Sequence, residues 1–204
     1  MEKEKQNMTG GKGDEQETRD RILSAARQLM AKKGMKGATT KKIAELAGVN
    51  EVTLFRHFTN KKGIFSALLE EMTDTRTLLE DALKVEYPDL REMLMAYGRS
   101  FYNLMIERKE LLMICVIESG NEPELVDLFA SVPITAVLVL AEKLASLAEE
   151  GRVRQTDYQT AGHMFISTLY TAFMILYRTQ STDITIEVER LLEKSVDILL
   201  SGIS

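Results

Sequence analysis

Between Thr39 and Lys61 the chain reads TTKKIAELAGVNEVTLFRHFTNK, a run dense in cations and hydrogen-bonding side chains. Lys41, Lys42, Arg56 and Lys61 offer positive charge, while Thr39, Thr40, Asn50, Thr53 and His57 offer donors and acceptors. That set suits contact with a polyanion rather than bond-making. Elsewhere the notable nucleophile and base candidates are Cys115 and His163, with Glu118 or another carboxylate, and no familiar spacing joins them. Two histidines, His57 and His163, far apart in sequence, do not make a usual zinc site with one cysteine. The chain also has no glycine-rich phosphate loop. An enzyme, a metal site and a cofactor are therefore not expected.

The elements that must position those side chains can be read from their apolar neighbours. Ile43, Leu46 and Ala47 recur at three and four residues, which predicts one buried face of a short helix. Gly48 supplies the freedom a sharp turn needs, Val49 turns back to the core, and Asn50 is a good N-cap. Leu54 and Phe58, four apart, anchor a second helix and leave Thr53, Arg56 and His57 off its buried face. Two helices so spaced form a helix-turn-helix, whose second helix fits a DNA major groove. The charge is placed to match. Residues 18–69 carry eleven Lys/Arg against three acids, a net of +8, whereas residues 72–204 carry twelve against twenty-one, a net of −9. The overall −5 conceals a basic head on an acidic body.

The segments RDRILSAARQLMAKKG, ATTKKIAELAGVN and TLFRHFTNKKGIF, from about Thr18 to Leu69, resemble the DNA-binding domain of the tetracycline-repressor (TetR) family of bacterial regulators. The resemblance implies an all-α fold of about nine helices: a three-helix helix-turn-helix head, then a larger helical domain for ligand binding and dimerisation. It places Thr39 as cap of the motif's first helix, with Thr40 and Lys41 in the first turn, where free N–H groups suit a phosphate. It places Asn50, Val52, Thr53 and Phe55 near base edges, His57 toward the backbone and Lys61 on a phosphate. Position 52 is often small in the family, and valine there suits a thymine methyl; position 55 is commonly tyrosine, and phenylalanine lacks the hydroxyl. Glu51 should read a cytosine amino group or turn away. Val52, Phe55 and Gly63 depart from the family pattern, and they keep alive the alternative of a ligand- or partner-sensing helical module without sequence-specific DNA binding.

The division expected is a disordered arm over 1–17, the head over 18–69 and the body over 70–204. Helix one should run from Thr18 to just before Gly34, with Ile22, Ala25, Ala26, Leu29 and Met30 inward. Beyond the head, one helix is expected from Ile64 to about Val85, then others over 89–106, 109–118 and 122–130. A further helix should start near Pro133 and end at Glu150, with the last two over 157–179 and 184–200. By resemblance, those last two form a homodimer interface, and both carry more apolar surface than one small body covers. Tyr102, Met105, Met113, Cys115, Phe165, Leu169, Phe173, Met174 and Tyr177, with Glu118 as a polar exception, make a candidate pocket for a hydrophobic effector. The chain's eleven methionines suit such a role, because Met adapts to several ligand shapes. One cysteine, a charged N-terminus and no apolar run long enough to span a bilayer point to the cytoplasm, near the nucleoid, and not to a membrane.

Overall fold

Each helix of the head is bounded by residues chosen for the job. A computed structural model describes residues 3–70, 74–120, 124–179 and 185–203, with no strand among them. Helix α2 spans Thr40–Ala47; the Thr39 hydroxyl accepts from the Lys42 N–H at 3.3 Å, and Gly48 closes it in the left-handed region at φ 68°. Helix α3 spans Glu51–His57, with the Asn50 Oδ1 accepting from the Thr53 N–H at 2.7 Å. Asn60 likewise caps α4, Lys61–Glu70, accepting from the Gly63 N–H at 2.9 Å. Helices α2 and α4 pack on the chain's first helix and α3 packs on α2, around Ile22, Met30, Ile43, Leu54, Ile64 and Leu68, all fully buried. Leu46 departs from expectation: Ile43, Ala44 and Ala47 form the inward stripe, and Leu46 lies outside it, exposed.

Helix α1 spans Lys3–Gly37, so helix runs through most of the segment expected to be a disordered arm. Lys, Glu and Gln are good helix formers and outweigh three glycines locally; Gln16 donates to Asp20 one turn on at 2.8 Å. The expected stop at Gly34 takes the form of a break: Gly34 is non-helical (φ 66°, ψ 176°), and one more turn follows to Gly37.

The body comprises α5 (Thr75–Lys84), α6 (Leu90–Glu107), α7 (Lys109–Glu118), α8 (Glu124–Glu149), α9 (Tyr158–Met174, continued by a π turn over Ile175–Thr179) and α10 (Val188–Ile203). Tyr97, Phe101 and Met105 of α6 are fully buried at its centre, and the Tyr97 hydroxyl donates to the Ala136 carbonyl of α8 at 2.7 Å. At Gly98 the helices meet so closely that a Cβ would strike Leu192 of α10 and come within 3.0 Å of Phe165 of α9.

Two expected helices change. The single helix over 64–85 is α4 and α5, with Asp74 non-helical at φ −91°, ψ 7°. The Arg108 guanidinium holds this junction, donating to the Asp74 carboxylate and, at 2.7 Å, to Thr75 Oγ1. Conversely, the helices expected on either side of Pro133 are one, α8. A proline removes one helical hydrogen bond, but Val132, Ala136, Val137 and Leu140 are buried and keep the helix continuous through it. The merged segment Leu125–Glu149 is long and apolar enough in composition to cross a bilayer, contrary to the shorter run expected, yet that row of residues packs in the chain's own core. The starts expected at Glu122 and Ile184 lie outside the described residues.

Ion pairs tie α6 to α10. Arg91 donates to Asp197, which also accepts from Lys194 at 3.0 Å, and Arg99 donates to Glu189. The Arg91 and Lys194 hydrogen bonds hold the Asp197 carboxyl below its usual range, and Arg99 does the same for Glu189. A carboxylate with a lowered folded-state pKa stabilises above its unfolded pKa and loses that contribution as pH falls through the folded value. The melting temperature should therefore drop as pH is lowered from about 5 to 3. Arg91→Met should flatten part of that fall, as followed by circular dichroism.

Candidate DNA-binding surface and effector region

The turn at Gly48 sets the angle between α2 and α3, and Leu54 with Phe58 pins α3 to the head, so α3's remaining face points away from the core. On that face Val52, Phe55 and Arg56 are exposed, and Thr53 is half-buried. Lys41, Lys42 and Thr39 are exposed at the start of α2. The surface therefore offers cations along one edge of an apolar and hydroxyl-bearing strip, which is chemistry for gripping phosphates while touching base edges.

Three expected residues have partners or surroundings that sequence spacing did not reveal. Thr40 Oγ1 donates to Glu51 Oε1 at 2.8 Å, so the acid of α3 is turned onto the start of α2. Lys61 Nζ donates to the Met35 carbonyl at 2.6 Å, which leaves an ammonium with further protons for an anion. His57 is half-buried, and its Nε2 is sequestered without a hydrogen-bond partner among the described residues, so any backbone contact falls to the other ring nitrogen. The Arg19 guanidinium lies 5.4 Å from the centre of the neighbouring Phe58 ring.

No local pattern singles out Met35. Its N–H donates to Glu118 Oε1 at 2.5 Å while its carbonyl accepts from Lys61. The last turn of α1 is thus held from the body by α7 and from the head by α4. Glu118, considered for ligand orientation, is buried and engaged there instead.

The other effector-region residues divide. Met105, Cys115, Leu169, Phe165 and Phe173 are buried in the core; Tyr102, Met113 and Met174 are half-buried; Tyr177 is exposed. Tyr102 meets Phe173 edge-on with ring centres 6.5 Å apart, Phe173 lies 5.0 Å from Tyr177, and the Lys109 ammonium is 5.8 Å from the Tyr177 ring. Phe165 also lines a groove of about 460 Å³ between α9 and α10, with Met164, Thr168, Ile198 and Leu199. Burial pushes the Cys115 thiol up to about 11, so at neutral pH it is protonated and unreactive. Thiol reagents should label the native chain far more slowly than the urea-unfolded one.

The comparisons agree with this arrangement. The family profile for bacterial regulatory proteins of the tetR family matches residues 22–68, and that for the AefR-like transcriptional repressor C-terminal domain matches residues 92–201. The HTH-type transcriptional regulator YvkB of Bacillus subtilis is 30% identical over 188 residues, covering 92% of this chain and 97% of that one. Among solved structures, a TetR-family regulator from Mesorhizobium loti superposes with a TM-score of 0.71 at 19% identity, covering 93% of this chain and 98% of that one. FadR from Bacillus subtilis, in complex with stearoyl-CoA, has a TM-score of 0.65 at 23% identity, covering 90% and 98%. A profile spanning more than half the chain, joined to a full-length relative at this identity, means that the chain belongs to the TetR family of bacterial transcriptional regulators.

Proposed function

We propose that this regulator is a repressor that binds a palindromic operator as a homodimer and leaves it when a hydrophobic small molecule enters the body. In this reading residues 18–69 form the DNA-binding head and residues 70–204 the effector and dimerisation domain. It acts in the cytoplasm, on the nucleoid. The observation that carries the reading is the outward face of α3: Val52, Phe55 and Arg56 exposed beside Lys41 and Lys42, on a head of net charge +8. One seven-residue helix makes few contacts. A two-fold pair of heads reads two half-sites about 34 Å apart or somewhat more. The dimer reading is supported by α9 and α10, whose shared groove is flanked by Met164 at 65% and Ile198 at 66% exposure. Exposed apolar side chains gathered along one groove make a surface that a partner subunit can cover. An acyl or aromatic effector suits the Tyr102, Phe173 and Tyr177 cluster, and stearoyl-CoA is a sensible first probe for a thermal-shift screen.

The test is a fluorescence-anisotropy titration against the DNA upstream of the chain's own gene. Specific binding should weaken steeply with salt. Lys61→Ala should weaken binding to all sequences alike, by roughly tenfold, and reduce the salt slope by about one. Thr53→Ala should instead alter which sequence is preferred. Binding indifferent to sequence at every salt concentration would sink the proposal.

A further inference from the structure

The recognition surface is apolar where a DNA reader is usually polar. Val52 is 79% exposed, Phe55 46% and Leu46 52%, although each is large enough to bury. Val52 and Phe55 stand three apart on α3 and therefore share one face, with Arg56 beside them. The polar side chains that could compete for base edges are partly spoken for. Glu51, which might accept from a cytosine amino group, holds the Thr40 hydroxyl. Asn50 uses in its cap the oxygen that a bidentate contact to adenine requires.

We infer that sequence recognition by this chain rests on thymine methyl groups: Val52 and Phe55 form an apolar reader that selects thymine-bearing steps in the major groove of each half-site. The occupant is duplex DNA because the apolar strip is bordered by Lys41, Lys42 and Arg56 on the +8 head, which complement a phosphate-lined groove and repel a cationic partner. Of the groups on major-groove edges, the thymine C5-methyl is the one an apolar side chain recognises. The inference rests on the DNA-binding reading above and states which chemical feature of the operator is read.

The experiment begins with the full chain selecting its operator from random duplexes, followed by anisotropy titrations on that operator. Each half-site thymine is then replaced by deoxyuridine, which removes the methyl and keeps every hydrogen-bonding group. Affinity should fall roughly fourfold for each contacted methyl. Val52→Ala, an exposed change that spares the core, should shrink that difference toward unity. 5-Methylcytosine placed where a contacted thymine stood should recover more affinity than cytosine does. Selected half-sites without thymine, or deoxyuridine duplexes bound as tightly as the thymine ones while specific binding persists, would overturn the inference and leave the regulator reading intact. Absence of any sequence-specific binding would overturn both.

Discussion

Gly34→Ala should lower the stability of the chain by about 3 kcal/mol, the largest single-residue effect expected outside the core. Gly34 sits at φ 66°, ψ 176°, a backbone region that essentially only glycine visits. A Cβ there would also come within 2.6 Å of Glu118 Oε1, the atom that accepts from Met35. Alanine must therefore either re-form helix through position 34, carrying the last turn of α1 elsewhere, or displace the carboxylate. Both routes disturb Met35 and, through its carbonyl, Lys61. Urea denaturation gives the stability, and a salt series on the operator gives the effect on binding. A variant as stable as the natural chain would mean that the break at Gly34 is not a requirement of the fold.

Glu118→Ala is expected to cost about 2 kcal/mol, because it leaves the partly buried N–H of Met35 without its charged acceptor. Glu118 is buried at the C-terminal end of α7, and a hydrogen bond to a charged acceptor is roughly twice as strong as a neutral one. Glu118→Gln keeps an oxygen in place and should recover about half of the loss. Amide hydrogen exchange offers a local readout: Met35 should be protected in the natural chain and exchange faster in Glu118→Ala than in Glu118→Gln. Because Gly34 and Glu118 are in contact, their effects should not add, and the double variant should lose less than the two single losses together. Strict additivity would show that the two act separately. Operator affinity should weaken along with stability in Glu118→Ala, since Lys61 donates to the carbonyl of Met35, the residue whose N–H Glu118 holds.

Much of the head is legible in the sequence, because its signals are local. Thr39, Gly48, Asn50 and Asn60 stand at helix ends and do there what their side chains do in any helix. The body was harder to read where a local signal competes with burial. Pro133 is a sound reason to begin a helix, yet α8 passes through it with buried neighbours on both sides. The apolar run after Ile64 is a sound reason to continue one, yet Asp74 is non-helical, and Arg108 from beyond α6 holds Asp74 and Thr75. Leu46 misled in the other direction, since an apolar residue at a plausible spacing lies on the exposed side.

What the sequence determined by itself is the helix-turn-helix, its basic charge, the helical class of the rest and the membership in one family. The motif and the helical class depend on residues within a few positions of one another, whose propensities and periodicities act before the chain is compact, and the charge and the family match are sums along the chain that need no folded contact. What only tertiary structure decided is which side chains are free to act. Thr40 and Glu51 lie eleven positions apart and Met35 and Glu118 eighty-three, and no short-range pattern encodes either pair. Those contacts form because packing of α1 against α7 and of α2 against α3 brings polar groups into poorly solvated space, where each must find a partner. The same packing leaves Val52, Phe55 and Arg56 exposed, and these are the side chains we propose for contact with DNA.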